Sequence, residues 1–295
     1  MWDNFLRTIK KNYTGWLLLI PGIILLLYIV WSPILRGTQY SFFKLAGFTP
    51  IEFVGFRNYI EVVTDTFFLQ ILGNTVKYVL WSLLIGLPLP LIVAVFINEM
   101  IHGKEFFKFS TYFPMIVPGV AASLIWWFIY QPGKLGLLNS LFVHLGLPMG
   151  DWLQNKDMVI PLIIISATWN SFGATMMMYL ASLQGVKQEL YDASRVDGAG
   201  LFGRVRHVMM PHMYGVILLL AIRQVISVFQ IMEQPLAMTY GGPNNASMTL
   251  ALQGFFYAFR STNQVGKSLA LGMITFVMLI VLTWVYLRFD KKINH

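Results

Sequence analysis

Arg223 and Glu233 stand ten residues apart in a stretch otherwise apolar enough to lie in a bilayer, with Gln224, Gln230 and Gln234 beside them. An ionisable group near the centre of a membrane helix costs about 2.5 to 3.5 kcal/mol on insertion scales, so it faces a cavity or a partner rather than lipid. Ten residues of helix advance roughly 15 Å, too far for the two to pair directly. Polar groups on a wet path and ties between helices are both open readings of this pair. Other chemistry is sparse. The sequence has no cysteine, which removes disulfides, thiolate metal sites and thiol catalysis, and its five histidines fall in no zinc spacing. No His, Ser and Asp converge as a nucleophile at membrane depth would require. "NQVGKS" ends in Gly266, Lys267 and Ser268 like a phosphate loop, but Ser261 stands where that loop needs its first glycine. The residues therefore point to binding rather than catalysis, with no metal and no cofactor expected.

The elements that hold these residues are membrane spans. A chain of 295 residues that is 57% hydrophobic and only 12% charged lies outside the range of soluble domains. Its net charge of +8 comes from basic clusters beside apolar runs, where lipid headgroups and topology account for them, so no nucleic-acid partner is expected. A hydrocarbon core takes about 20 apolar residues per helix. Six segments meet this: Trp16 to Leu35, Val76 to Ile97, Phe109 to Tyr130, Met158 to Ala181, Tyr214 to Met238 and Leu269 to Leu287. Pro21, Pro88, Pro90, Pro114, Pro118 and Pro235 lie inside them and bend their helices. The first span follows basic residues as a signal peptide would, but it is too long and lacks a cleavage site, so it reads as retained. Six spans place both termini on one side; that side carries twelve Lys and Arg against seven on the other, which directs the termini to the cytoplasm. The organisation read from this is a cytoplasmic segment 1–15, a membrane domain 16–288 with a cytoplasmic loop 184–213, and a cytoplasmic tail 289–295.

That loop contains "ELYDASRVDGAGLFGRVRHVMMP", Glu189 to Pro211, a small-residue run with charges of both signs. At helical period Val186, Leu190 and Ala193 share a stripe, while Gln188, Glu189, Asp192 and Arg195 point away. Gly198 and Gly200 break this helix, and a second amphipathic piece follows with Phe202, Val205 and Met209 on one side. The reading is a helix, a sharp turn and another helix at the membrane surface, with Pro211 opening the next span. Ala193, Ser194, Gly198, Ala199 and Gly200 let a second surface approach the backbone closely. An amphipathic helix that only rests on headgroups is the alternative.

The order Asp192-Ala193-Ser194, Asp197-Gly198-Ala199 and a later proline resembles the "EAA" motif of the membrane subunits of bacterial binding-protein-dependent ABC importers. "FVGFRNYIEVVTD" followed by "GNTVKYVL", and "TYGGPNNAS", resemble further landmarks of the carbohydrate-type permeases, the last being similar to the external GGP turn of the maltose and glycerol-phosphate type. Asp192 stands where the family usually has Glu, and Ser194 where it usually has Ala. The resemblance implies an all-α, six-helix type I importer permease fold in a bacterial cell membrane. It also implies a coupling helix, formed here by Glu189, Tyr191, Asp192, Ala193, Ser194, Asp197, Gly198, Ala199 and Gly200, that docks on a cytoplasmic ATPase. The partners it implies are a second homologous permease, two ATPase copies, an extracytoplasmic solute-binding protein and membrane lipid. Hydrolysis would then occur on a separate subunit, and this chain would be non-catalytic.

Sugars are bound by rings that stack on their apolar faces and by amides and carboxylates that bond their hydroxyls. Asn74, Tyr130, Trp169, Asn170, Ser227, Phe229, Gln230 and Glu233 are the expected lining of such a path, and Glu233 falls where the family often has an acidic residue before the GGP turn. Trp126 and Trp127 fit a membrane-interface belt as well as a ligand site. Met176, Met177 and Met178 read as adaptable packing. The external segment from Gly37 to Thr66 is either part of a docking face for the binding protein or a cap on the bundle. The competing class is an ion-coupled secondary transporter, which needs coupling carboxylates and an internal repeat that the sequence does not display. A sugar phosphate or a peptide remains an alternative cargo.

Overall fold

The computed structural model describes residues 13–293, with side chains to Arg288. Arg7, Lys10 and Lys11 of the basic N-terminal cluster, and residues 294–295 of the tail, lie outside the described residues. Among the described residues five helices are long and apolar enough to cross a membrane, and a bent pair makes a sixth if it counts as one span. The chain divides into two compact units, one from residues up to Thr64 with Gly254–Ile274, the other from Asp65–Gln253 with the remainder of the last helix.

In the first unit α1 runs from Tyr13 to Tyr40, unbroken through a π turn at Leu27–Trp31. The segment after it is more ordered than the sequence discloses. Strands β1 (Phe43–Ala46) and β2 (Thr49–Phe53) form an antiparallel hairpin, and α2 (Arg57–Val63) follows, so the fold is helical with one small sheet. Asn58 on α2 donates to the carbonyls of Ser41 and Phe43 at 2.8 and 2.9 Å. The phosphate-loop look-alike belongs to this packing. A Cβ on Gly266 would come within 2.6 Å of Phe43 O, Lys267 pairs with Glu61 at 2.9 Å, and Ser268 Oγ donates to Gly254 O at 2.7 Å.

In the second unit α3 (Phe68–Ile85) and α4 (Pro88–Glu99) make one span interrupted at Gly86 and Leu87, where Pro88 takes the first helical position. Helix α5 (Lys104–Tyr112) ends in a tight turn at Phe113–Ile116, and α6 (Gly119–Ile129) leaves it at 97°. Then come α7 (Leu137–His144), α8 (Val159–Gln184), α9 (Gln188–Val196), α10 (Leu201–Phe229) and α11 (Glu233–Thr239). Helices α12 (Leu250–Phe259) and α13 (Val265–Ile293) each belong partly to both units. Helix α8 packs against α3, α4, α10 and the turn after α5, which explains why apolar residues are buried around most of its circumference.

Two boundaries differ from the sequence reading. The second amphipathic piece of the loop is not a separate surface helix but the first turns of α10, joined by a π turn at Val205–Met209 that carries the helix past Pro211 and its missing N–H. The fifth span does not run unbroken from Tyr214 to Met238, because α10 stops at Phe229 and α11 restarts at Glu233.

Prolines make the breaks, and distant side chains complete the carbonyls they free. Pro118 has no N–H for Pro114 O, and Asn170 Nδ2 on α8 donates there at 3.0 Å and to Val117 O at 3.1 Å. Pro235 has none for Ile231 O, and Thr249 Oγ1 donates to it at 2.7 Å. Helix α8 reaches this corner because residue 173 is glycine; a Cβ there would lie 2.5 Å from Tyr112 Cα.

Candidate functional site

Arg223 and Ser227 are four apart on one face of α10, Gln230 follows three residues on at its C-cap, and Glu233 opens α11. All four are exposed in the isolated chain, while Leu220, Val228 and Phe229 on the same helix are buried. Facing them on α8 are Asn170, Ser171 and Thr175, and the two walls enclose a cavity of about 410 Å³ that Gln224 and Gln234 also line. Among the described residues Arg223 Nη1 donates to the sulfur of Met178, at 3.2 Å, and Arg223 and Glu233 do not pair, as their spacing requires. Glu233 packs so closely on α6 that a Cβ on Gly119 would lie 2.5 Å from its Oε2.

The remaining sequence-predicted lining residues lie elsewhere. Phe229 is buried away from the cavity. Asn74 does not line it either: its amide donates to Asn245 O at 2.7 Å and Met248 O at 3.2 Å, and with Gln70, Thr75 and Tyr78 it cradles the loop of the GGP turn. Ser247, inside that loop, bonds Thr239 and Gly242 O, so the turn is fixed from both sides. Trp169 stands edge-on to Trp126 at 6.0 Å, and Trp126 stacks on Tyr130 at 5.4 Å. Tyr130 lines a second cavity, of about 470 Å³, with Trp127, Gln131, Asp151, Trp152 and Tyr240. The structure therefore gathers Asn170, Ser227, Gln230 and Glu233 into one space and sends Tyr130 to another. Arg223, Gln224, Ser171 and Thr175 join the first space without having been among the predicted lining.

On α9 the predicted coupling residues divide by exposure. Glu189, Asp192, Ala193, Asp197, Gly198 and Gly200 face outward, Ser194 and Ala199 are half-buried, and Tyr191 is 7% exposed and points into the protein. The stripe read from periodicity is displaced: Val186 is buried, but Leu190 and Ala193 are exposed. Asp192 Oδ1 accepts from Gln188 and Arg195, and Ser194 Oγ donates to Tyr191 O at 2.7 Å. Gly198 sits at φ +73°, left-handed geometry that favours glycine, with open space where a side chain would be. Val196 and Phe202, 88% and 77% exposed, bracket this tip with bare apolar surface.

Two ties that the sequence did not disclose anchor α9 and the first turn of α10 to the end of α4. Asn98 Nδ2 donates to the Tyr191 hydroxyl at 3.2 Å, and Glu99 forms an ion pair with Arg204, whose other nitrogen donates to Ala199 O at 3.1 Å. Burial pushes the Tyr191 phenol above its ordinary value; the Asn98 bond opposes this, nearby Glu99 adds to it and Arg204 counters it.

The family model described as "Binding-protein-dependent transport system inner membrane component" matches residues 86–295. The chain is 29% identical over 287 residues to the "Probable ABC transporter permease protein YurN" of Bacillus subtilis (strain 168), covering 96% of this chain and 97% of that one. It is 26% identical over 282 residues to the "Arabinooligosaccharides transport system permease protein AraP" of the same organism, covering 95% and 89%. A chain of the crystal structure of a bacterial alginate ABC transporter, in complex with alginate pentasaccharide-bound periplasmic protein, has the same fold. It superposes with a TM-score of 0.86 at 19% identity, covering 97% of each chain.

Proposed function

Because this chain belongs to the family of binding-protein-dependent transport system inner membrane components, we propose that it forms half of the translocation path of an ATP-driven importer for a carbohydrate, an oligosaccharide handed over by an extracytoplasmic binding protein. The observation that carries this reading is the polar stripe of Arg223 and Ser227 on a helix apolar enough to cross a membrane, continued past its end by Gln230 and Glu233 and opening on a cavity of about 410 Å³. Groups of that kind do not face lipid. Ser171, Asn170 and Gln230 offer the hydroxyl and amide contacts that sugar hydroxyls take. Likeness to a relative named for arabinooligosaccharides supports a saccharide over a peptide or a sugar phosphate.

A second, homologous permease closes the open side of the stripe. The chain itself is non-catalytic, and two copies of a cytoplasmic ATPase grip the tip of α9 around Asp192 and Gly198. Segments 1–15, 184–213 and 289–295 then face the cytoplasm. The outward side chains of Asp192 and Asp197 and the bare Val196 and Phe202 support a partner at this tip. The absence of native cysteine gives a direct test. Asp192→Cys is expected to cross-link to a co-purifying ATPase, and Ser227→Trp to block uptake while leaving the assembled complex intact. A complex without an ATPase, or unimpaired uptake in Ser227→Trp, would refute the proposal.

A further inference from the structure

Arg223 is a permanent cation inside the cavity. Among the described residues no carboxylate pairs with it, and its contact is the uncharged sulfur of Met178, a weak acceptor. The opposite end of the same stripe carries Glu233, with neutral Ser227 and Gln230 between. Hydroxyl and amide groups alone would serve a neutral sugar, and such a cargo would leave the guanidinium without a charge partner. A guanidinium presents a planar fork of N–H donors that matches an oxyanion in shape as well as charge.

We propose that the cargo is an acidic saccharide whose oxyanion, a carboxylate or sulfonate on the sugar, is bound by Arg223 while its hydroxyls lie toward Gln230 and Glu233. This rests on the reading of the cavity as the cargo path. The fixed charges at the two ends orient the guest, because its acidic end is drawn to Arg223 and repelled by Glu233. The rival role for the cation is an ion pair with the neighbouring permease.

The test is binding to the detergent-purified permease–ATPase complex without its binding protein. The probes are an aldobiouronic acid, its carboxyl-reduced neutral twin and a sulfonated hexose. At least one acidic probe is expected to bind ten-fold or more tightly than the neutral twin. Arg223→Gln should erase that ratio, and Arg223→Lys, which keeps the charge and serves if Arg223→Gln does not assemble, should keep part of it. Equal binding of acidic and neutral probes, a ratio that survives Arg223→Gln, or no binding by any acidic probe overturns the proposal. Neutral-twin binding that Ser227→Trp abolishes, with no acid preference, overturns the charge assignment but retains the path. Probe binding that Ser227→Trp leaves untouched overturns the path itself.

Discussion

The side-chain amide of Asn98 donates to the phenol oxygen of Tyr191 at 3.2 Å, joining the end of α4 to the inward face of α9. One residue further on, Glu99 holds Arg204 at the first turn of α10. The exposed tip at Asp192 and Gly198 is thus fixed to two helices of the membrane bundle rather than hung on a slack loop. Under the proposed coupling role, a push on the tip would reach α4 and α10 together, and Arg223 and Ser227 of the polar stripe lie on α10.

The Glu99–Arg204 pair is mostly shielded from solvent, with side chains 19% and 16% exposed. A double-mutant cycle of Glu99→Gln and Arg204→Gln, read by thermal unfolding of the purified complex, should give a coupling of about 1.5 to 3 kcal/mol, the range for hydrogen bonds to charged groups. Additive single effects would count against a mechanical tie.

Asp192→Lys reverses an outward charge, and Gly198→Val forces a branched side chain into left-handed geometry. The second change costs about 1 to 2 kcal/mol locally, too little to unfold a helix bundle. Both variants should insert and assemble, yet hydrolyse ATP without transport. Normal cargo-stimulated uptake in both would remove the coupling assignment.

Asn170→Leu should strand the carbonyl of Val117, and Thr249→Val that of Ile231 together with the N–H of Leu252. An unsatisfied buried polar group costs about 1 to 3 kcal/mol, so each variant should lower the midpoint of thermal unfolding. The isosteric Thr249→Val is the cleaner test because it leaves almost no cavity.

Glu61 is held below the usual carboxylate range, first by its bond to Lys267, then by Arg57, with burial opposing. Its ionised form is favoured by folding, so its contribution is complete above the ordinary carboxylate pKa of about 4.3 and fades as pH falls through the lower folded value. The difference in thermal midpoint between the protein and Glu61→Gln should be flat from neutrality to about pH 5, shrink below that, and vanish only once the pH lies under the lowered folded value. A gap that widens in acid would contradict the assignment.

Hydropathy located the spans because lipid demands an apolar run of known length, and the prolines announced the corners at Pro118 and Pro235. What the sequence could not disclose was which side chains complete those corners. Asn170 and Thr249 act on carbonyls far from them in sequence, and nothing local marks that pairing. Asn74 has the composition of a path residue but spends its amide on the GGP loop. On α9 the period was read correctly and its phase was not. Apolar side chains stand on both the buried and the exposed face of this helix, so hydrophobicity alone does not tell buried Tyr191 from exposed Leu190. Arg223 was noticed for its cost, but its alignment with Ser227 and Gln230 on one wall needed the helix to be seen.

Asn170 serves the corner and the cavity at once, and this limits what it can say to a guest. Both protons of its amide nitrogen are committed to Pro114 O and Val117 O. Only the oxygen is left, so a guest could donate a hydrogen bond to Asn170 but accept none from its amide. Along the proposed path, the brace of a helix corner thereby sets the direction of bonding that this one residue offers the cargo.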